Sequence, residues 1–154
     1  MIGVLTEKQC KEVLQSNFLG RLGCNDNGKT YIVPINYLFD GGAIIAHSQV
    51  GMKIRMMRNN PEVCFEVDEI KSYTNWKSII AWGTYREITD EKEKMKAMKS
   101  FVDHLLHLKV SETAQPPETS AKRLHPRSFV EMVVYKIIIS KITGRFESGE
   151  EGEW

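Results

Sequence analysis

Ala43–Val67, AIIAHSQVGMKIRMMRNNPEVCFEV, decides how this chain is read. Ala43–Ala46 is a short apolar run, with Gly41-Gly42 before it and His47-Ser48-Gln49 after it. That pattern is a strand between turns. Gly51 is expected to take a backbone conformation that a side chain would obstruct. From there Met52, Met56 and Met57 fall near helical spacing, while Lys53, Arg55 and Arg58 point elsewhere. Asn60-Pro61 ends that helix, because the residue before a proline is pushed out of the α region. Val63, Phe65 and Val67 then alternate with Glu62, Cys64, Glu66 and Asp68, a strand with two unlike faces.

A strand feeding a helix N-terminus presents free backbone N–H groups and the positive end of the helix dipole, which suits a phosphate. Ser48 adds a hydroxyl, His47 a second donor and Lys53 a point charge. The plainer reading of the same residues is a solvated helix face with Ser48 as its N-cap. Local pattern leaves both open, and the spacing and glycine count exclude a Walker loop.

Working outward, Thr6-Glu7-Lys8-Gln9 is a capping box that opens a short amphipathic helix to about Ser16, with Cys10, Val13 and Leu14 as its apolar stripe. Phe18–Asn25 reads as a strand and Asp26-Asn27-Gly28-Lys29 as its hairpin turn. Thr30–Phe39 (TYIVPINYLF) reads as a second strand. Pro34 within it belongs at an edge, at a bulge, or where something other than a strand lies alongside. Asp40-Gly41-Gly42 turns the chain into the Ala43 strand, so three strands form a meander. Lys71–Asn75 is polar connection. Trp76–Ile88 is a long strand with Gly83 as a bulge or close-approach point. Asp90 and Glu93 cap a further helix to about Leu108, with Met95, Met98, Val102 and Leu105 as its buried stripe. Val110–Arg127 holds three prolines and reads as a long loop. Ser128–Phe146 holds the last strand, with a one-residue slip expected near Tyr135. Residues 147–154 are an acidic tail. About six strands and three helices without βαβ rhythm argue a small antiparallel barrel with helices outside it.

The 154 residues are most simply one domain. A hydrophobic fraction of 42% and a formal net charge of +1 mark an ordinary globular chain, with no general reason to expect nucleic acid or a membrane as partner. Cys10, Cys24 and Cys64 have no metal-type spacing, and an odd count is poor for a disulfide framework. The expected setting is therefore reducing and cytoplasmic. No leader or membrane-spanning pattern is evident.

Taken together, six segments resemble the pyridoxamine 5′-phosphate oxidase-like FMN-binding split barrels, in particular the branch containing nitroimidazole-resistance proteins. They are GRLGC at Gly20–Cys24, VPINY at Val33–Tyr37, HSxxGxK at His47–Lys53, RxNPxVCFEV at Arg58–Val67, WxSIIAWG at Trp76–Gly83 and ITGR at Ile142–Arg145. They occur in family order over nearly the whole chain. The resemblance implies an α+β fold, mainly β: a six-stranded antiparallel split barrel with flanking helices. It also implies a homodimer with two FMN sites at the subunit interface. Val33, Pro34, Ile35, Asn36 and Tyr37 would lie along the isoalloxazine. His47, Ser48, Gly51 and Lys53 match the phosphate-side segment, with Arg21 as a candidate helper, and Ser78 would reach the flavin from the other subunit. The RxVLLK signature and the Arg-Lys pair of the true oxidases are absent, Met52-Lys53 standing in their place, which weakens a vitamin B6 substrate.

The activity implied is an oxidoreductase passing electrons from NAD(P)H to a small acceptor such as a nitroaromatic or quinone. A flavin-binding or stress module without turnover, and a haem-binding split barrel with His47 as the residue to test, are the alternatives. No catalytic side chain is assigned beyond His47, which reads equally as structural. Trp76 and Trp82 share a strand face and read as packing residues. Cys64 reads as a small buried hydrophobe, and Met95 and Met98 as core. His104 and His107 make at most half of a metal site, so no metal is expected.

Overall fold

The computed structural model describes residues 1–112 and 132–149, with the side chains of 105–112 left aside. The elements in order are β1 (Ile2–Val4), α1 (Glu7–Ser16), β2 (Leu19–Asp26), β3 (Lys29–Asn36), β4 (Leu38–Phe39), β5 (Ala43–Ser48), α2 (Met52–Asn59), β6 (Glu62–Ser72), β7 (Asn75–Glu87), α3 (Glu91–Glu112) and β8 (Val133–Ser148). The antiparallel sheet runs β3-β2-β6-β7-β8-β5-β4, with β1 on β8. Among the described residues eight strands therefore stand where six are expected. β1 is too short to register as a pattern, and the Thr30–Phe39 strand is broken.

That break makes the split. Among the described residues Lys29–Asn36 pairs only with β2, whereas Leu38–Phe39 pairs with β5. The expected meander is thus not formed: the two halves of one apolar run sit at opposite ends of the sheet. Tyr37 turns the chain between them. Its side chain is 1% exposed and its ring meets Phe65 edge-on at 4.9 Å. Helix α2 plugs the opening, burying Ile54 and Met57 in the same apolar cluster as Leu22, Tyr37 and Ile44. Arg58 pairs with Glu87 and anchors α2 to β7. The stripe differs from the expected one at its start: Ile54 is buried and Met52 exposed.

The turn chemistry follows the sequence. Asn27 (φ 51°) and Gly28 (φ 77°) both take the left-handed conformation that a two-residue hairpin needs. Thr6 and Gln9 form the capping box on α1. Asp90 Oδ2 accepts from the Glu93 N–H at 3.0 Å at the start of α3. Helix α3 continues to Glu112, past the expected end at Leu108. It buries Ala97, Met98 and Phe101, not Met95, which is exposed. The stripe is turned because α3 docks on Ile45, Ile88 and Val134.

Strand β8 pairs with β7, β5 and β1. The register slips where Trp82 faces Lys141 and Gly83 faces Ile139, so the extra residue is Ser140 rather than one near Tyr135. Val134 and Tyr135 are both buried because they face different covers: Val134 lies under α3 and Tyr135 in the barrel core. A Cβ on Gly83 would stand 2.4 Å from the Ile138 carbonyl oxygen, so the close approach expected there is present. Most of the Val110–Arg127 segment and the end of the acidic tail lie outside the described residues. Among the described residues no helix is long and apolar enough to cross a membrane.

Candidate functional site

The phosphate-side residues gather where β5 runs into α2. Ser48 is the last residue of β5, and Gly51 is the N-cap of α2. No side chain caps that helix. Its first turn therefore offers N–H groups without intrahelical acceptors, at the positive end of the dipole. Gly51 is needed less than expected. Its φ of −142° and ψ of −161° are ordinary extended backbone, and an added Cβ would meet nothing within 4 Å. Ser48 is not the N-cap either, because its hydroxyl donates to the Gln49 carbonyl at 2.8 Å.

His47 and Lys53 flank this turn. The half-buried His47 ring packs edge-on against Phe101 at 4.6 Å between centroids. Burial, and secondarily the Lys53 charge, holds its pKa below the ordinary histidine value. Lys53 also acts on Cys24, opposing the stronger upward push of burial on that thiol. The Lys53 charge thus acts on a residue of β5 and on one of β2, the strand that leads to β3.

Strand β3 ends the sheet, and among the described residues no strand covers its second edge. Pro34 sits there, which explains how a proline is tolerated in the run. Asn36 and Pro34 are exposed, Val33 is half-buried, and Ile35 turns inward at 9% exposure. The Tyr37 side chain is committed elsewhere: its hydroxyl donates to the Leu14 carbonyl at 2.7 Å. Only its main chain remains for a ligand along the strand.

Arg21 and Ser78 lie together on the outer face of the sheet, not at the α2 turn. Arg21 pairs with Asp68 at 3.2 Å and Glu66 at 3.6 Å, and Ser78 donates to Glu66 at 3.0 Å. The pattern VCFEVDE carried these acids in plain view, but no spacing rule joins them to an arginine forty-odd residues earlier. Cys64 shares this face and is half-buried rather than buried. Trp82 is 39% exposed, and Trp76 donates its indole N–H to Glu147 at 3.0 Å, so neither tryptophan fills the core. Cys10 and Cys24 are buried free thiols. Among the described residues no three His, Cys, Asp or Glu side chains group as metal ligands.

Clefts lie elsewhere on the described surface. One of about 330 Å³ is lined by Glu7, Lys11, Phe39, Ser140 and Lys141. Another of about 350 Å³ runs from Val50 past Arg58 and Glu87 to Met132. The second adjoins the α2 turn at Val50 but takes in neither Lys53 nor β3.

Known proteins share this arrangement. The profile of the family described as pyridoxamine 5′-phosphate oxidase matches residues 6–146. An uncharacterized protein of Rhizobium meliloti, RA0666, is 36% identical over 87 residues, 56% of this chain and 58% of that protein. The match thus spans somewhat over half of that relative's length. The crystal structure of a FAD-binding protein from Mesorhizobium loti superimposes with a TM-score of 0.75 at 28% identity, covering 96% of this chain and 99% of that one. A candidate 5-nitroimidazole antibiotic resistance protein from Bacteroides thetaiotaomicron has a TM-score of 0.72 at 19% identity, covering 95% and 87%, a likeness of fold. The family profile spans the capped helix α1, the split at Tyr37, the α2 turn and nearly all of β8, and so the chain belongs to the pyridoxamine 5′-phosphate oxidase family and folds as its split barrel.

Proposed function

We propose that this protein binds FMN and passes electrons from a reduced nicotinamide or similar donor to a small acceptor such as a nitroaromatic or quinone. One observation carries the reading. The uncapped N-terminus of α2 carries Lys53 in its first turn, and α2 packs on β2, whose neighbour β3 ends the sheet of the described residues with an exposed proline. The helix end is a cradle for a phosphate and the β3 edge a backbone rail for a flat ring. Family membership and the FAD named for the Mesorhizobium relative support a flavin as ligand, and FMN is the form proposed.

A bound flavin would supply the two-electron chemistry; the chain supplies position. Lys53 and the α2 N–H groups would hold the phosphate, and Val33–Asn36 would fix the ring through main-chain groups. His47, kept neutral near pH 7 by its burial, is placed to donate a hydrogen bond without adding charge.

The partner in this reading is a second copy of the chain. Leu19, Ile32, Ile80 and Trp82 are 48%, 68%, 37% and 39% exposed on the outer face that also carries Pro34 and Ser78. Apolar side chains gathered on one face mark an interaction surface. A monomeric mass by light scattering with flavin bound would contradict the shared site. The three free thiols fit a reducing, cytoplasmic setting.

The deciding experiment is the absorption spectrum of the purified protein, followed by anaerobic NADH and NADPH. Yellow colour that bleaches is the expected result. Yellow that persists would leave a flavin-binding module without this turnover, and a Soret band would replace the flavin with haem.

A further inference from the structure

The outer face carries a charged triad with no task in the reading above. Arg21 is the cross-strand partner of Pro34 on β3 and of Glu66 on β6, so the three residues form one row across three strands. Side chains opposite one another on neighbouring strands start about 5 Å apart. The Arg21 guanidinium is held by Asp68 at 3.2 Å and Glu66 at 3.6 Å. Ser78 fixes the other Glu66 oxygen at 3.0 Å. Arg21 thus stands one strand from the proline expected beside the ring, with its direction set by two carboxylates, whereas the Lys53 charge acts on Cys24 and His47.

We propose that the Arg21–Glu66–Asp68 triad sets the reduction potential of the flavin ring, with Arg21 favouring the reduced ring and the two carboxylates opposing it. This rests on the flavin reading and on Val33–Asn36 lying along the ring. Arg21 is then a positioning charge at the ring side, not a phosphate ligand. Two electrons and one proton entering an oxidised flavin leave one extra negative charge on the ring near neutral pH. Fixed charges within about 10 Å on a partly desolvated face move that equilibrium.

Burial, reinforced by Asp68, pushes the Glu66 carboxyl above the usual carboxylate range. The comparison is therefore made at about pH 8, well above the usual carboxylate range. The other charged or titratable strand residues on this face, among the described residues, are Glu62 and Cys64 on β6, Arg86 on β7, and Lys136, Lys141, Arg145 and Glu147 on β8. They are the same in every variant compared.

The test is a dithionite titration of the FMN-loaded protein against a redox dye, in wild type, Arg21→Gln, Arg21→Lys and Glu66→Gln. Arg21→Gln lowers the potential and Glu66→Gln raises it. Each changes the reduction equilibrium on the order of tenfold, about 30 mV for a two-electron couple. Arg21→Lys keeps the charge and restores most of the loss. The ratio of FMN to riboflavin affinity stays at the wild-type value throughout, which a phosphate ligand would not allow. General damage to the fold would not produce shifts of opposite sign. Shifts of one sign, or none, in protein that still holds flavin overturn this inference and leave the flavin reading standing. A wild-type protein that takes up no flavin overturns both.

Discussion

The Tyr37 hydroxyl donates to the Leu14 carbonyl across a sequence separation of 23 residues. Leu14 is in the last turn of α1, where carbonyls have no acceptor role left within the helix. Asn17 satisfies the neighbouring Val13 carbonyl at 2.8 Å, so the two bonds close the helix end. Tyr37 thereby fixes both the break between β3 and β4 and the seat of α1.

Tyr37→Phe keeps the ring on Phe65 but leaves the Leu14 carbonyl buried and unpaired. Such a loss costs about 1–3 kcal/mol. Urea unfolding should show the midpoint falling with little change in slope. A variant as stable as the parent would mean that water replaces the hydroxyl.

Gly83→Ala should be worse. The new Cβ would press on the Ile138 carbonyl oxygen at 2.4 Å and on Ile137 Cγ2 at 2.8 Å. The main-chain atom cannot swing aside, so β7 and β8 must part at the Ser140 bulge. Overpacking of this kind costs about 1–3 kcal/mol or more. Gly42→Ala, where nothing lies within 4 Å, is the matched control and should stay within about 0.5 kcal/mol of wild type.

These residues also show what the sequence could disclose. Val63, Phe65 and Val67 alternate with polar neighbours, and that period alone gives the strand and its inner face. Capping at Thr6 and the Asn27-Gly28 turn are equally local. The split at Tyr37 is not: TYIVPINYLF is apolar through the break, and only the opposite pairing of its halves reveals it. On α3, Met95 and Met98 both read as core residues by spacing. Docking on Ile45, Ile88 and Val134 takes Met98 and leaves Met95 exposed. The site divides the same way. His47, Ser48, Gly51 and Lys53 fall within seven residues and could be read as one turn. Arg21 meets Glu66 and Asp68 only through sheet registry, which no linear pattern carries.

His47 should make stability fall in acid. Its folded pKa is lowered, by burial first and by Lys53 second, while the unfolded value stays near 6.5. The unfolded chain therefore binds the proton more readily. The contribution is complete above the unfolded value and is lost as pH falls through the folded one. His47→Gln should flatten the stability profile below about pH 6.5, whatever it does to absolute stability through the Phe101 contact. In Lys53→Ala the imidazole should titrate higher, but not at its ordinary value, since the larger cause remains. Proton NMR of the ring reads this directly, and a wild-type histidine titrating above 6.5 would contradict it.

Lys53→Ala is the sharpest test of the α2 turn as a phosphate site. A charge-assisted hydrogen bond is worth about 1.5–3 kcal/mol, so FMN affinity should fall roughly ten- to hundred-fold. Ser48→Ala should cost less. The Ser48 hydroxyl already donates to the Gln49 carbonyl, and turning it toward a phosphate gives that bond up. Riboflavin lacks the phosphate, so its weaker binding should barely respond to either change. That contrast separates a phosphate contact from damage to the fold, which would weaken both ligands together. It also separates the site from a solvated helix face, where neither ligand would respond. Fluorescence quenching titrations at one fixed ionic strength supply the numbers, because the pairing is salt-sensitive. Equal losses for FMN and riboflavin, or no loss for FMN, would remove Lys53 and the α2 N-terminus from the phosphate site.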